Sequence, residues 1–253
     1  MDMHLKDKVA LVTGASHGLG KAICLSLAAE GAIVAVNYRR NPEKANAVVQ
    51  EIKDNFGVKA FTALGDIANE NDVKSIYNQI INEQGKIDIL VNNAAVCPTC
   101  KITELTLEQW EDTIKTNLTG MFLTCREFAS QLIDAKRIGR MVNISSQAAF
   151  RGSTSGKSPY DASKGGIVSF TISLAREMAP HNIAVNCVAP GIMETEMMKK
   201  ALATNKDKYT SRIPLGRLGQ TSEIADVVTF LSSDRAGYMT GATVDVSGGL
   251  MMR

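Results

Sequence analysis

A tyrosine and a lysine four residues apart, in the run Tyr160-Asp161-Ala162-Ser163-Lys164, form the pair in this chain best suited to proton chemistry. On a helix that spacing sets both side chains on one face, a turn apart. A cation beside a phenol favours the phenolate and so lowers the phenol's pKa. Moving a phenol from about 10 towards about 7 takes about 4 kcal/mol of differential stabilisation. A partly desolvated lysine, with a positively charged cofactor beside it, could supply that. The alternative is an ordinary i,i+4 pair on a solvated helix face, and the decision rests on what precedes it.

What precedes it first is a glycine turn. Val9-Ala10-Leu11-Val12 reads as a buried strand and runs into Thr13-Gly14-Ala15-Ser16-His17-Gly18-Leu19-Gly20. Apolar residues at helical spacing follow, from Lys21 to a stop at Gly31. Strand, glycine turn and helix together build a phosphate site: the backbone can approach a pyrophosphate, and the helix start offers free N–H groups. The spacing is G-x-x-x-G-x-G. The second strand, Ile33–Tyr38, ends in Asn37-Tyr38-Arg39-Arg40, without the carboxylate that would bind an adenosine ribose and repel a 2′-phosphate. Two guanidiniums there favour NADP(H) over NAD(H), which is left open; two solvated surface arginines are the alternative.

The elements that must position these groups alternate along the chain. Pro42–Phe56 reads as a helix and Lys59–Leu64 as a strand closing on Gly65-Asp66-Ile67, where Asp66 either meets an adenine amine or caps the helix Asp72–Gln84. Ile87–Val91 is a fourth strand, ending in Asn92-Asn93-Ala94-Ala95 at the edge where open α/β sheets bind ligands. A long helical pattern covers Thr106–Ala135, with Asn117 and Gly120 inside it. Arg140–Ser146 is a strand ending in two hydroxyls, followed by a polar loop from Gln147 to Pro159 and the Tyr160 helix. Ile183–Val188 and Ala242–Val246 supply the last strands, with a helix at Thr221–Leu231. Met193–Arg212 reads as a mobile excursion of the kind that forms substrate lids. The pattern predicts an α/β fold: a single doubly wound Rossmann-type domain over 1–253, with a parallel sheet of about seven strands flanked by helices on both faces.

Bulk properties narrow the function. The chain has 253 residues, 45% hydrophobic, with a formal net charge of +2. That balance gives no sign of a nucleic-acid or membrane partner. Neither a spanning apolar run nor a signal-peptide apolar region occurs, so the expected compartment is the cytoplasm. Five cysteines, an odd and scattered number, argue against a disulfide framework. Cys97-Pro98-Thr99-Cys100 is a C-x-x-C, but no second pair has zinc spacing and a redox dithiol would open a helix early in its domain. No metal is expected.

Taken in order, Thr13-Gly14-x-x-x-Gly18-x-Gly20, Asn92-Asn93-Ala94, Asn117, Ser146, Tyr160-x-x-x-Lys164, Pro190-Gly191 and Asp245 with Gly248-Gly249 resemble the short-chain dehydrogenase/reductase family over nearly the whole chain. The flavour is similar to its 3-oxoacyl-(acyl carrier protein) reductases and bacterial sugar dehydrogenases. The resemblance implies Tyr160 as general acid for ketone reduction, and Lys164 as holder of the nicotinamide ribose and depressor of the Tyr160 pKa. It implies Ser146, rather than Ser145, as donor to the carbonyl oxygen, and Asn117 as the binder of a proton-relaying water. Gly14, Ser16, His17, Gly18 and Leu19 would line the phosphates. Arg39 would meet the 2′-phosphate, with His17 a second contact, and Asp66 and Ile67 would meet adenine. Asn93 would touch the adenosine-side ribose, and Met193 and Thr195 the carboxamide. The implied enzyme is a homotetramer interconverting a ketone and a secondary alcohol, its substrate a small molecule open to linkage with acyl carrier protein or CoA. A sugar, polyol or other cyclic alcohol dehydrogenase is the alternative, and a non-catalytic cofactor-binding regulator the remote one.

Three departures from the family pattern bear on the substrate. Ala95 stands where a glycine is usual. The interval from Ser146 to Tyr160 is a residue longer than usual, and its Arg151 and Lys157 predict a polar, basic entrance suited to a polar or anionic substrate, with a solvated loop as the alternative. Arg137 fits one basic position of the carrier-protein reductases, whereas His181 stands where an arginine is expected.

Overall fold

The computed structural model describes residues 2–153, 155–194 and 206–252. Seven parallel strands share one sheet in the order β3-β2-β1-β4-β5-β6-β7. They are β1 (Val9–Val12), β2 (Ile33–Tyr38), β3 (Ala60–Leu64), β4 (Ile89–Asn92), β5 (Gly139–Ile144), β6 (Ile183–Pro190) and β7 (Thr243–Val246). Helices α1 (Gly18–Ala29), α2 (Pro42–Phe56), α3 (Glu70–Gln84), α4 (Leu107–Ile114), α5 (Gly120–Asp134), α6 (Ala148–Arg151), α7 (Ser158–Met178) and α8 (Thr221–Ser232) connect them.

Alternation along the central strands fills two cores. Ala10 and Val12 of β1 face a layer containing Ile23 and Leu27 of α1, Val48 and Ile52 of α2, and Ile224 and Val228 of α8. Val9 and Leu11 face the opposite layer, with Ile76 and Tyr77 of α3, Phe128 of α5, and Ile167 and Leu174 of α7. A strand buried on both faces has no polar side to show, which is why these runs read as continuous hydrophobics. The strand order reverses between β1 and β4, so the crevice beyond their carboxyl ends is where such a sheet takes a ligand.

Two local features differ from the sequence reading. The long helix over Thr106–Ala135 is interrupted by a π-helical segment, Lys115–Thr119, with Asn117 at its centre and the Gly120 N–H reaching back to the Lys115 carbonyl. The loop after Ser146 contains a single helical turn, α6, whose amphipathic signal over four residues is too short to read. The predicted lid falls partly outside the described residues, as does Thr195. Its flanks are tied together: the Gly219 N–H donates to the Ile192 carbonyl at 3.0 Å. Among the described residues no helix is long and apolar enough to cross a membrane.

Candidate active site

One cleft of about 470 Å³ runs along the carboxyl edge of the sheet, from the glycine turn and the β2 end to Tyr160 and Met193. Gly14, Ser16, His17, Gly18, Leu19, Arg39, Asp66, Ile67, Asn93, Ser146, Tyr160, Lys164 and Met193 all line it.

The glycine turn is built to leave space. Helices α2, α3 and α4 each start with a side chain that accepts from the first turn, Asn41, Asn69 and Thr106. Helix α1 starts at His17 with no such cap and no acidic residue in its first turn. Its free N–H groups and positive dipole end therefore face the cleft, where an anion satisfies both. Gly18 has φ +57° and nothing within 4 Å of where a Cβ would stand, so the backbone there borders open cleft. Gly14 has φ +60° and would place a Cβ 2.8 Å from the Ala94 Cα, which fixes the turn against the β4 end. A dinucleotide's phosphates fit this cradle.

Three side chains hold the turn in place, and sequence reasoning gave two of them no role. Asn37, buried in β2, accepts from the Gly14 N–H at 3.1 Å and donates to the carbonyls of Ala63 and Gly65, also at 3.1 Å. The Thr13 hydroxyl accepts from the N–H groups of Asn93 and Ala94 at 3.0 and 3.1 Å. Asn93 donates its amide to the carbonyls of Thr13 and Gly14 and lines the cleft. Asn92 points into the core instead: it accepts from Thr124 at 2.6 Å and donates to Asn143, which donates to Thr171 of α7 at 2.9 Å. That buried chain ties α5, β4, β5 and α7 together below the cleft.

At the other end stand the groups expected from the sequence to transfer a proton. Ser145 is structural: its hydroxyl donates to the Lys164 carbonyl at 2.8 Å. Ser146 faces the cleft, accepts from the Ala148 N–H at 3.1 Å, and hydrogen-bonds the Tyr160 phenol. Lys164 is buried; its ammonium donates to the Ile144 carbonyl at 2.7 Å and lies 5.5 Å from the Tyr160 ring centroid. Burial pushes the Lys164 pKa down to about 8. Burial also pushes the Tyr160 phenol above its ordinary value, with the nearby Cys97 and Asp161 adding to the rise and the Ser146 hydrogen bond opposing it. In the cofactor-free chain this runs opposite to the direction expected for the Tyr-Lys pair beside a charged cofactor: desolvation is the largest cause, and the Lys164 ammonium is turned to a main-chain carbonyl.

Asn117 does not line the cleft. Its amide accepts from the Val96 N–H at 2.8 Å and donates to the Val96 carbonyl and the Ser163 hydroxyl, while Ser163 donates to the Tyr160 carbonyl at 2.7 Å. The side chain thus pins the cleft wall to the Tyr160 turn of α7.

The basic entrance expected from the sequence is reduced. Arg151 donates to the Leu250 carbonyl at 2.6 Å, and Arg137 pairs with Asp88 at the amino ends of the strands, away from the cleft. Loop geometry of this kind has no sequence signal. Lys44, one turn into α2, joins Arg39 and Arg40 on the cleft wall and was also not foreseen. Cys97 and Cys100 are free thiols, and the Cys100 N–H donates to the Gly156 carbonyl at 2.8 Å, joining the two loops beside Tyr160. Among the described residues no group of three or more His, Cys, Asp or Glu could hold a metal.

A doubly wound sheet with a phosphate cradle at its switch point and a serine–tyrosine–lysine cluster at the far end of the cleft defines a nucleotide-dependent oxidoreductase. The model of the short-chain dehydrogenase family matches residues 8–206, and the chain belongs to that family. It is 41% identical over 250 residues to the 3-oxoacyl-(acyl-carrier-protein) reductase FabG of Aquifex aeolicus (strain VF5), covering 99% of this chain and 100% of that one. The FabG of Staphylococcus aureus (strain Mu50) is likewise 41% identical, over 245 residues, covering 97% and 98%. In three dimensions, a short-chain type dehydrogenase/reductase from Mycobacterium marinum superposes with a TM-score of 0.95 at 33% identity, over 100% of this chain and 98% of that one.

Proposed function

We propose that this chain is an NADP(H)-dependent reductase of 3-oxoacyl thioesters, interconverting a ketone and a secondary alcohol. The observation that carries the reading is the Ser146–Tyr160 contact above buried Lys164, in the same cleft as the phosphate cradle. A bound reduced nicotinamide would supply the hydride. Ser146 and Tyr160 both present O–H donors to one point, so a carbonyl oxygen there receives two hydrogen bonds as it gains charge. Tyr160 then delivers its proton to that oxygen. Burial keeps the Tyr160 phenol protonated in the cofactor-free chain but makes it a weaker acid than a free phenol, so efficient transfer needs positive charge from Lys164 and a bound cofactor beside it. The Lys164 ammonium, close to its own titration point, keeps a positive charge under the phenol while the proton leaves. Asn117 acts as a pin through its side chain, and a relaying water would be met by its remaining lone pair or its main chain.

The cofactor preference rests on Arg39, Arg40 and Lys44 at the adenosine end and on the absence of a carboxylate at the β2 end. Residues 193–212 serve as the substrate lid; Ile192 before the segment and Gly219 after it are joined by a main-chain hydrogen bond. By the family resemblance the enzyme would be a homotetramer in the cytoplasm; exposed Phe122 on α5 and Ile172 on α7 offer apolar surface for assembly.

The test compares initial rates with NADPH and NADH, on acetoacetyl thioesters and on glucose. NADPH with the thioester should be fastest; faster turnover of the sugar would move the assignment to a sugar dehydrogenase. Tyr160→Phe should lose about 10²–10⁴-fold in turnover and still bind NADPH. Near-normal activity of that variant would remove Tyr160 from its role.

A further inference from the structure

At the adenosine end of the cleft a single ion pair crosses between two strand ends. Arg39 donates from one terminal nitrogen to the Asp66 carboxylate at 3.1 Å, and both residues line the cleft. Asp66 is itself held from two sides. Its other oxygen accepts from the Ala68 N–H at 3.0 Å, and its own N–H donates to the Asp72 carboxylate at 2.8 Å. The carboxylate is therefore a fixed post, and the arginine leans on it. A guanidinium carries five N–H donors in a rigid plane, and the bond to Asp66 is the one hydrogen bond Arg39's side chain makes among the described residues. Arg40 and Lys44 on the same wall have no ion pair among the described residues, so nothing fixes their long side chains.

We propose that Asp66 is a positioning residue for Arg39: it orders the guanidinium within the cleft and leaves its remaining donors directed at a 2′-phosphate. The proposal rests on the NADP(H) reading above and assigns Asp66 a part in cofactor discrimination as well as any contact with adenine. Two effects of Asp66 oppose each other. Its charge repels a phosphate held by the same guanidinium, and at that separation, inside the screening length of about 8 Å at physiological salt, the repulsion is only partly screened. Its bond to Arg39 is a direct contact, and an ordered planar fork loses less freedom when it grips a phosphate. The positioning role requires the direct contact to outweigh this repulsion, in which case Asp66 favours the phosphorylated cofactor.

The experiment is titration calorimetry of the full chain with 2′,5′-ADP and with 5′-AMP, reading the ratio of their dissociation constants. Asp66→Asn keeps an oxygen for the Ala68 N–H and turns an N–H donor towards Arg39, so the turn survives and the pair does not. The ratio should narrow by about 2–5-fold, the range of one exposed ion pair. Arg39→Ala should narrow it further, and adding Asp66→Asn to that variant should change the ratio no more. A ratio that Asp66→Asn leaves unchanged or widens overturns the positioning role, as does narrowing that persists without Arg39. A ratio near one in the unaltered chain overturns the NADP(H) reading and the positioning with it. A clear ratio that ignores Asp66 overturns the positioning alone.

Discussion

Lys164 should make the stability of the cofactor-free protein depend on pH in a direction opposite to that of a salt-bridged lysine. The ammonium is buried with one carbonyl partner, and its pKa falls from 10.5 to about 8. Because the folded value lies below the unfolded one, the unfolded chain binds more protons between about pH 8 and pH 10.5. Stability therefore rises with pH across that window, and below it the fold carries the full cost of the buried charge. The interval corresponds to roughly 3 kcal/mol. Replacing Lys164 with Met removes that cost but deprives the Ile144 carbonyl of a donor, a loss of about 1–3 kcal/mol. At neutral pH the variant should thus be as stable as the parent or up to about 2 kcal/mol more stable, while losing activity. The assay is urea unfolding of both proteins without nucleotide, followed through the fluorescence of Trp110, the chain's single tryptophan. Other titrating groups are shared and cancel in the difference. Parent minus variant should climb by roughly 2–3 kcal/mol between pH 7 and pH 10. A flat or falling difference would show that Lys164 is not buried as a costly cation, and the catalytic use of that cation would lose its basis.

The glycine turn gives a paired prediction. Gly14→Ala meets both a left-handed φ and the Ala94 Cα at 2.8 Å, whereas Gly18→Ala meets only the φ. The second should cost about 1–2 kcal/mol and weaken NADPH binding; the first should cost more and abolish it, as melting temperature and calorimetry would report. Equal effects would mean that the turn does not press on the β4 end. Thr13→Val keeps its shape but strips the acceptor from the Asn93 and Ala94 N–H groups. It should destabilise by about 1–3 kcal/mol and raise KM for NADPH, and a variant as stable as the parent would deny Thr13 its role as a clamp.

Much of the fold was legible because each signal was local. Buried parallel strands announce themselves as short apolar runs, and the turn after β1 shows its glycines in the letters, so Gly14, Gly18, Tyr160 and Lys164 could be placed before any coordinates. The spacing of Tyr160 and Lys164 did not determine which way their protons lean. That depends on how deeply each group is buried and on Ile144, 20 positions away, which captures the ammonium. Asn37 and Thr13 look like ordinary strand residues until Gly14 and Asn93 come to lie beside them. Arg39 and Asp66 lie just beyond the ends of different strands, and Arg151 finds its acceptor 99 residues on, at Leu250. Local periodicity fixes which residues face inward; the partner each polar group finds is settled only when the sheet brings distant strand ends to one edge, since hydrogen bonds and desolvation act over a few ångströms of space and carry no trace in sequence distance.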